Sequence, residues 1–510
     1  MPGDESGADA ALTTAQEQPP AGGNDSLRAD VLDLFNLTGM SISSVGPVFS
    51  IAAAVGPMIA VGLYQAPLGM WLAFLPFLIS AVTFRHLNRH LPNAGASYGW
   101  TFKALGPVMA LIQAWMLILA YFFSLMAIII PAGIYTLNLL APGEVGNNVL
   151  VSLVGSGWAV FAAIPLIWGI RPTARFTTVF LVTEMAIISV FFALGFSHLA
   201  LHGATVSPRI GWFIPTGAVH FGSLITVAVV GFTIVDGWEL DSHAAEEAKH
   251  QRTNPGTGGM IGLLVVTAMY VIAFFLFFSL VPLPVLVAHQ TNVLAYFATV
   301  VAPGWAAKAM IVGILASTAS GLWLTHFILN RSLFAMARDQ VIPQRLGRVH
   351  PRFRTPWLLV ILVTVAEVIV TTILTNVPNV SSFFNIMLQT AGLFLSIVFV
   401  FSNVSALVYF RNVARESLHH ALLLGVLPVV ATIGMTVLIV GYLAQQTGTT
   451  LIVIVVLLAL TALFVLQVYV RKVDALQATR ELAADYAHPE DDDAHIGRAG
   501  QFEASVPREP

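Results

Sequence analysis

The sequence predicts an all-α polytopic membrane protein with twelve transmembrane helices, and two observations carry that prediction. Of the 510 residues, 57% are hydrophobic and only 10% are charged, whereas a soluble globular domain carries about 25% charged residues. Apolar segments long enough to cross a bilayer, for which about 20 residues suffice, recur twelve times between two polar ends. All twelve are expected to be helices, because a backbone in lipid must satisfy its own hydrogen bonds.

The predicted spans follow one another with short connections. In chain order they are 38–62, 67–86, 104–139, 148–169, 176–201, 221–243, 258–281, 303–336, 356–376, 384–409, 421–443 and 449–470. The third and the eighth are longer than a bilayer requires, so we expect them to be tilted or to extend into water.

The distribution of basic residues tests this topology. With both termini in the cytoplasm, only Arg209 and Lys308 of the 23 Lys and Arg residues fall on the outer side. Basic residues are retained on the cytoplasmic side of a membrane, and the bias would vanish if one helix had been missed or added. We therefore predict a multi-pass protein of the cell (cytoplasmic) membrane.

The two ends of the chain are polar. Residues 1–30 are rich in Ala, Gly, Pro, Asp and Glu and are expected to be disordered in the cytoplasm. They contain no basic segment followed by an apolar run, so no cleavable signal peptide is predicted. Residues 472–510 form a predicted cytoplasmic tail with an acidic cluster at 490–493, and a short helix is expected at 474–486.

Several chemistries are excluded. The chain has no cysteine, which rules out disulfides, thiolate nucleophiles and Cys-ligated metals. It has no H-E-x-x-H, P-loop or convincing G-x-S-x-G motif, and no polar segment is large enough for a nucleotide domain, so neither an enzyme nor a primary pump is predicted. His86 and His90 have metal-like spacing but lie among arginines, and we predict no metal site. The net charge of −3 gives no indication of a nucleic-acid partner.

Two spans differ from plain membrane anchors. The first contains small residues and a proline over 39–47, and the sixth contains a glycine and three carboxylates over 236–241. These spans occupy equivalent positions in two five-helix halves, 38–201 and 221–409. Paired interruptions of this kind are typical of transporters built from inverted repeats, whose binding site lies at mid-membrane. For the first span, close helix packing by small residues is the alternative.

Three motifs resemble those of the amino acid–polyamine–organocation permeases. Residues 330–343 and 349–356 are similar to the family's helix ending in A-R-D-G, a proline, and a P-R-x-x-T-P lead into the ninth helix. Residues 91–106 resemble its P-x-A-G-G-x-Y segment. The G-W-E at 237–239 and the A-E-E at 245–247 have the spacing of its G-F-E and A-E-E.

This resemblance covers roughly 31–410 and implies a LeuT-type core of five plus five helices in an inverted repeat. Two extra helices, within 411–471, would lie at its periphery. The chain departs from the family at His86, where glutamate is usual, and at Ser43 and Ser44, where glycine is common. The departures bear on the substrate rather than on the fold.

The resemblance places a substrate between the two interrupted helices. Backbone amides of the first break would bind a carboxylate, and carbonyls of the second would bind an ammonium group. Trp238 would be a lid, with an interfacial aromatic as the alternative. Glu246 and Glu247 are expected at the cytoplasmic end of the sixth span, where a solvated turn that pairs with loop arginines is the alternative to a functional role. The predicted substrate-binding residues are Ser41, Ser43, Ser44, Val45, Gly46, Val235, Asp236, Gly237, Trp238, Glu239 and Asp241.

Carboxylates at membrane depth are costly and usually line a pathway or carry protons. The resemblance places Glu184 about where proton-coupled members of the family carry a titratable residue, so it is the first candidate for proton coupling. Asp241 and His243 are further candidates, although His243 has the alternative of a satisfied residue at a helix end. The acids of the sixth span have no compensating cation, which favours a substrate with an ammonium group.

These observations predict a secondary active transporter, or permease, of amino acids or related amines. It would work by alternating access, as a proton-coupled symporter or a substrate antiporter. No cofactor is expected, because a proton gradient or a counter-substrate would be the driving force. A transporter-like membrane sensor without net transport is the alternative. The predicted partners are a small molecule with an amine group, the lipid bilayer and, if the chain dimerises, a second copy.

Overall fold

All regular structure in the described part of the chain is helical. The computed structural model describes residues 27–215, 218–375 and 380–485. Within these ranges the β pairing consists of one isolated parallel bridge between Leu32 and Ala248. The disorder predicted for the amino terminus falls mostly outside the described residues, and the acidic cluster at 490–493 falls wholly outside them.

The first half of the chain contains eight α-helices. They are α1 (Leu34–Val45), α2 (Pro47–Ser50), α3 (Gly56–Gly62), α4 (Ala66–His90), α5 (Ser97–Leu105), α6 (Pro107–Leu140), α7 (Asn148–Trp168) and α8 (Ile170–His202). A π-helical turn, Ile51–Val55, joins α2 to α3. Asp33 caps α1, since its carboxylate accepts the Asn36 N–H at 2.9 Å.

The second half contains the remaining α-helices. They are α9 (Phe221–Val235), α10 (Leu240–His243), α11 (Thr257–Leu280), α12 (Leu283–Ala288), α13 (Val293–Val301), α14 (Ala306–Arg338), α15 (Trp357–Thr375), α16 (Val380–Tyr409), α17 (Leu418–His420), α18 (Leu427–Leu443) and α19 (Gly448–Asp485). The helix predicted at 474–486 is the continuation of α19, which runs to Asp485 without a break.

The chain is a multi-pass membrane protein. Nine helical stretches among the described residues are long and apolar enough to cross a bilayer, and the first of them, Leu34–His90, is 57 residues long. Two shorter apolar helices, Phe221–Val235 and Trp357–Ile373, accompany them. The predicted long third and eighth spans correspond to α6 and α14, which have 34 and 33 residues.

The buried share of each apolar helix shows which helices lie inside the protein and which lie at its periphery. The most apolar stretch of α14 is 89% buried, whereas that of Thr450–Val470 in α19 is 17% buried. The apolar stretch within Leu418–Leu443 is 28% buried. The last two long helices therefore present most of their apolar surface to the surroundings, and α14 lies at the centre, against α1, α6 and α8.

The residues before α1 are attached to the end of the sixth predicted span. The amides of Val31 and Leu32 donate to the Glu247 carbonyl oxygen at 2.9 and 3.0 Å, and the Lys249 amide donates to the Leu32 carbonyl at 2.6 Å. This backbone pairing explains the isolated bridge. It fixes the start of α1 beside the turn that follows α10.

Candidate functional site

The first predicted break lies at Gly46. This residue adopts a left-handed conformation, with φ 57° and ψ 61°, and its N–H donates to the carbonyls of Ile42 and Ser43 at 3.2 Å each. Such a left-handed glycine is a common helix terminator. Pro47 then begins α2, where a proline is well tolerated because its missing N–H would have no partner within the helix.

The second break lies between α9 and α10. Val235 ends α9, Asp236 is extended with ψ 154°, and Gly237 has a φ of +103°. The two breaks touch, since a Cβ on Gly237 would lie 2.6 Å from Ser44 Oγ and 2.9 Å from the Ser44 carbonyl carbon. Glycine is required at 237 by its backbone conformation and by this contact.

The three predicted serines of α1 are buried, and their hydroxyl groups have no hydrogen-bond partner within the described residues. They face different neighbours. Ser41 lies against Gly262 of α11, Ser43 lies beside Glu184 of α8, and Ser44 lies against Gly237. The structure therefore brings Ser44, but not all three hydroxyls, to the second break.

The apolar members of the predicted site, Val45 and Val235, are buried in the hydrophobic core on either side of the breaks. Each is the last residue of its helix, α1 or α9. Their carbonyl groups consequently belong to the partly negative carboxyl ends of these helices.

Two carboxylates, those of Asp236 and Glu239, interact with each other at the second break. Both side chains are buried. The Gly237 N–H donates to Glu239 Oε2 at 3.1 Å, and the hydroxyl of Tyr121 on α6 donates to Glu239 Oε1. Asp236 Oδ1 has no partner, and no cation acts on either carboxylate within the described part of the chain. Buried charges are normally paired, so this pair is suited to binding a cation or sharing a proton.

Trp238 lies inside the protein rather than at a membrane interface. It is fully buried, with its ring centroid 5.2 Å from that of Phe84, 5.7 Å from that of Phe399 and 6.3 Å from that of Phe77. The interpretation as an interfacial aromatic is therefore wrong. Its indole N–H has no partner among the described residues. The position beside Gly237 is compatible with the predicted lid, which stays a prediction.

Asp241 and His243 have partners typical of structural residues. Asp241 Oδ2 accepts the N–H groups of Gly256 and Gly259 at 2.6 and 2.5 Å, so this buried carboxylate caps the amino end of α11. The His243 Nδ1 lies 3.2 Å from the Ala94 carbonyl oxygen and 3.3 Å from Ser332 Oγ. These contacts support the interpretation of His243 as a residue at a helix end whose ring nitrogen has hydrogen-bond partners.

Glu184 on α8 faces the first break. Its carboxylate is fully buried and lies beside the hydroxyls of Ser43 and Ser317 and the amide of Val48, but neither oxygen completes a hydrogen bond in the described structure. Ser317 also accepts the Phe49 N–H at 3.1 Å. The lone carboxylate therefore sits where α1, α2, α8 and α14 meet.

The acids that follow α10 form ion pairs with α14. Arg331 Nε and Nη2 each lie 2.9 Å from an oxygen of Glu247, and both side chains are buried, with exposed fractions of 4% and 0%. Arg338 Nη2 lies 2.9 Å from Glu246 Oε1, and the exposed fractions of the Arg338 and Glu246 side chains are 43% and 25%. The prediction of a solvated turn is thus wrong for Glu247 and holds better for Glu246.

Sequence reasoning missed Tyr121, Arg331 and Ser317 as members of these groups. A signal was available for Arg331, which lies seven residues before Arg338 and therefore on the same face of α14. Tyr121 and Ser317 lie in apolar helices, where one hydroxyl carries no distinctive pattern.

Two further features lie outside the breaks. His326 Nδ1 on α14 lies 3.8 Å from Glu367 Oε1 on α15, and both side chains are fully buried. A cavity of about 950 Å³ lies near the carboxyl end of α6, and its lining combines apolar side chains with amide and hydroxyl side chains, including Tyr135, Asn138 and Gln290. Within the described ranges, no group of three or more His, Asp or Glu residues is arranged to hold a metal ion.

Comparison with known proteins shows which family this chain resembles over most of its length. The family described as "Amino acid permease" matches residues 32–471. The branched-chain amino acid permease BcaP of Bacillus subtilis (strain 168) is 25% identical over 358 residues, covering 66% of this chain and 73% of that protein.

Two other relatives differ in their substrates. The methylthioribose transporter of the same organism is 25% identical over 348 residues, covering 64% of this chain and 72% of the relative. The low-affinity putrescine importer PlaP of Escherichia coli (strain K12) is 27% identical over 308 residues, which cover 59% of this chain and 65% of that protein. The family match confirms the resemblance found in the motifs.

Proposed function

Because the chain belongs to the amino acid permease family, we propose that it is a secondary active transporter that carries amino acids or related amines across the cell membrane by alternating access. The observation that carries this proposal is the contact between two helix breaks, where Gly237 approaches Ser44 without room for a Cβ. Interrupted helices that meet at membrane depth are the usual site of such transporters. The three relatives are named as a permease, a transporter and an importer, so the sensor alternative gains no support.

The proposed topology has twelve crossings with both termini in the cytoplasm. The first of the nine apolar stretches in the described residues, Leu34–His90, is long enough for two crossings, which makes ten. The two shorter apolar helices, Phe221–Val235 and Trp357–Ile373, would supply the other two. The first ten crossings would form the five-plus-five inverted repeat, with α18 and α19 outside it. The strong bias of basic residues supports this orientation.

The substrate would lie at the two breaks, with its ammonium group bound by the second. Asp236 and Glu239 place two interacting carboxyl groups there, and the carbonyl end of α9 adds partial negative charge. Trp238, packed against Phe84, would close the site. Asp241 is left out of this assignment because its carboxylate caps α11.

The proposed coupling residue is Glu184. A buried carboxylate without a cation is costly at membrane depth and usually functional, and this one adjoins the first break through Ser43 and the amide of Val48. Loading a proton from outside and releasing it inside would link the proton gradient to substrate movement. Exchange of one substrate for another without net proton movement is the second mode, and the uptake experiment separates the two.

The experiment is uptake by proteoliposomes that contain the purified protein. Radiolabelled amino acids and amines are offered with and without an inward pH gradient, and with and without unlabelled substrate inside. Uptake that requires either the gradient or an internal counter-substrate supports the proposal. If a monodisperse protein takes up none of the amines or amino acids under any of these conditions, the proposal is wrong.

A further inference from the structure

An exposed basic surface lies where the end of α7, the start of α8 and the loop before α15 meet. It is defined by three exposed arginines, Arg171 and Arg175 of α8 and Arg352 of the loop. We propose that this surface, the arginine patch, binds the headgroup of an anionic phospholipid such as phosphatidylglycerol, with the acyl chains along α7, α8 and α15. The site is separate from the helix breaks, and the inference does not depend on what the protein transports.

Two contacts join the loop before α15 to the turn between α7 and α8. The Thr355 hydroxyl donates to the Ile167 carbonyl oxygen at 3.0 Å. A Cβ built on Gly169 would lie 3.0 Å from the Phe353 carbonyl oxygen, so the two backbones approach each other closely. Because Gly169 has a φ of +112°, glycine suits this position by its conformation as well. The loop and the helix turn therefore form one continuous surface.

The arginines of the patch lie beside these contacts. Arg352 directly precedes the loop residue that touches the turn, and Arg171 follows Gly169 by two positions. Arg175 lies one helical turn after Arg171, on the same face of α8. The loop itself is ordered around His350, whose Nδ1 accepts the amide of Arg352 at 3.2 Å and whose own amide donates to the Thr355 carbonyl at 2.8 Å.

No acidic side chain neutralises the patch. The sequence has no Asp or Glu over 145–183 or over 340–366, and none of the three arginines forms an ion pair within the described residues. Arg171 lies in the first turn of α8, which holds no acid although the helix dipole is positive there too. Two more exposed arginines, Arg345 and Arg348, belong to the same loop. The surface therefore favours an anionic partner.

Apolar side chains exposed to the surroundings begin next to the patch on all three helices. They are Trp168 at the end of α7, Phe176 and Val179 on α8, and Ile361 and Leu362 on α15. In a membrane such side chains face acyl chains, and tryptophan is enriched at the level of the headgroups. A basic end followed by an apolar surface matches a phospholipid, whereas a free phosphate would use the arginines alone.

The proposed topology places this face toward the cytoplasm, where the membrane leaflet is anionic. Basic pockets between membrane helices on this side are known to bind acidic headgroups. Guanidinium groups suit the task because they bind phosphate oxygens with two parallel hydrogen bonds. A headgroup held by Arg171 and Arg352 together would bridge the loop to α8 and so hold the end of α14 against the start of α15.

The test titrates lipid into delipidated protein in detergent and follows its melting temperature, so it requires no transport. The probes are phosphatidylglycerol and phosphatidylcholine with the same acyl chains, and glycerol phosphate as a free headgroup. We expect phosphatidylglycerol to raise the melting temperature at least twice as much as phosphatidylcholine, and glycerol phosphate to have no effect. Equal responses to the two lipids, or a response to glycerol phosphate as large as that to phosphatidylglycerol, would overturn the inference.

Matched double variants locate the binding. Arg171→Gln with Arg352→Gln should raise the half-saturating concentration of phosphatidylglycerol at least fivefold. Arg411→Gln with Arg415→Gln removes two exposed arginines from the same proposed side of the membrane, outside the patch, and should change it less than twofold. The single variants of the patch, each with a smaller rise, keep the test decisive if its double variant does not fold. A rise no larger than that of the control would refute the site.

The acidic cluster at 490–493, which lies outside the described residues, is the other anion that could occupy the patch. Its four residues are replaced by the corresponding amides in the full chain, and the lipid titration is repeated. We expect the half-saturating concentration of phosphatidylglycerol to change less than twofold. A larger fall would mean that the tail of the chain occupies the patch, and it would overturn the assignment to a lipid.

Discussion

The two neighbouring acids after α10 allow a controlled test of how the protein is held together at this end. Glu246 and Glu247 each pair with an arginine of α14 in a two-bond geometry. They differ in burial, and Glu246 also accepts the Ala94 N–H at 3.0 Å, a bond that a glutamine oxygen can keep. Removing one partner of a buried pair costs about 3–5 kcal/mol, because the other charge stays buried without compensation. An exposed pair is worth about 0–1 kcal/mol.

Glu247→Gln should therefore lower the free energy of unfolding by about 3–5 kcal/mol, and Glu246→Gln by at most about 1 kcal/mol. Arg331 would then remain buried without its paired carboxylate, and the ring of Phe327, 4.4 Å from its Cζ, would stabilise the charge only weakly. Replacing both partners, Glu247→Gln with Arg331→Met, should recover much of the loss, because no unpaired charge remains.

The measurement is equilibrium unfolding in mixed micelles with increasing SDS, followed by tryptophan fluorescence, for the three variants and the parent. The difference between the single variants is the informative quantity, since both change a glutamate to a glutamine at adjacent positions. Equal losses for Glu246→Gln and Glu247→Gln would refute the reasoning from burial. A double variant that is less stable than Glu247→Gln alone would refute the explanation by an uncompensated arginine.

Three other substitutions separate transport from stability. Glu184→Gln should keep substrate counterflow but lose accumulation driven by a pH gradient, because the amide cannot carry the proton; both are measured in one proteoliposome batch. Gly237→Ala should abolish uptake, since its Cβ would lie 2.6 Å from the hydroxyl oxygen of the first break, whereas Gly434→Ala, whose Cβ has no contact closer than 3.8 Å, should not. Asp241→Asn should lower thermal stability, with about 1 kcal/mol lost at the cap, and leave the half-saturation concentration unchanged.

Each of these has an outcome that contradicts it. Retained concentrative uptake by Glu184→Gln would remove this residue as the proton carrier. Normal uptake by Gly237→Ala would mean that the close approach is a packing contact only. A large rise in half-saturation concentration for Asp241→Asn, with the stability of the parent protein, would mean that Asp241 takes part in substrate binding.

The sequence predicts the helical membrane architecture well, because hydropathy and the bias of basic residues are averaged over many positions. Such averages identify a membrane span, but they do not show at which residue its helix is interrupted. The first span offers small residues over 39–47, yet the three serines remain helical and only Gly46 takes the left-handed conformation that ends the helix. Serine is tolerated inside a helix, whereas glycine alone adopts φ > 0 without cost.

The partners of the buried polar groups could not be predicted, since they depend on distant contacts. Arg331 and Glu247 are 84 positions apart and Tyr121 and Glu239 are 118 apart. Asp241 gives the clearest case. Its sequence neighbours suggest a binding role, but the helix it caps begins 16 residues later, at Thr257, after an intervening loop.

The backbone hydrogen bonds from Val31 and Leu32 to Glu247 tie the segment before α1 to the end of the sixth span, so the position of this segment can report movement of that span. If the end of the sixth span shifts during transport, the segment must travel with it or release three hydrogen bonds. The chain contains no cysteine, so cysteines introduced at the exposed Ala29 and Arg352 would carry spin labels without background. The distance distribution between them would then record the conformational cycle directly from a pulsed electron resonance experiment, with no label placed in the helices themselves.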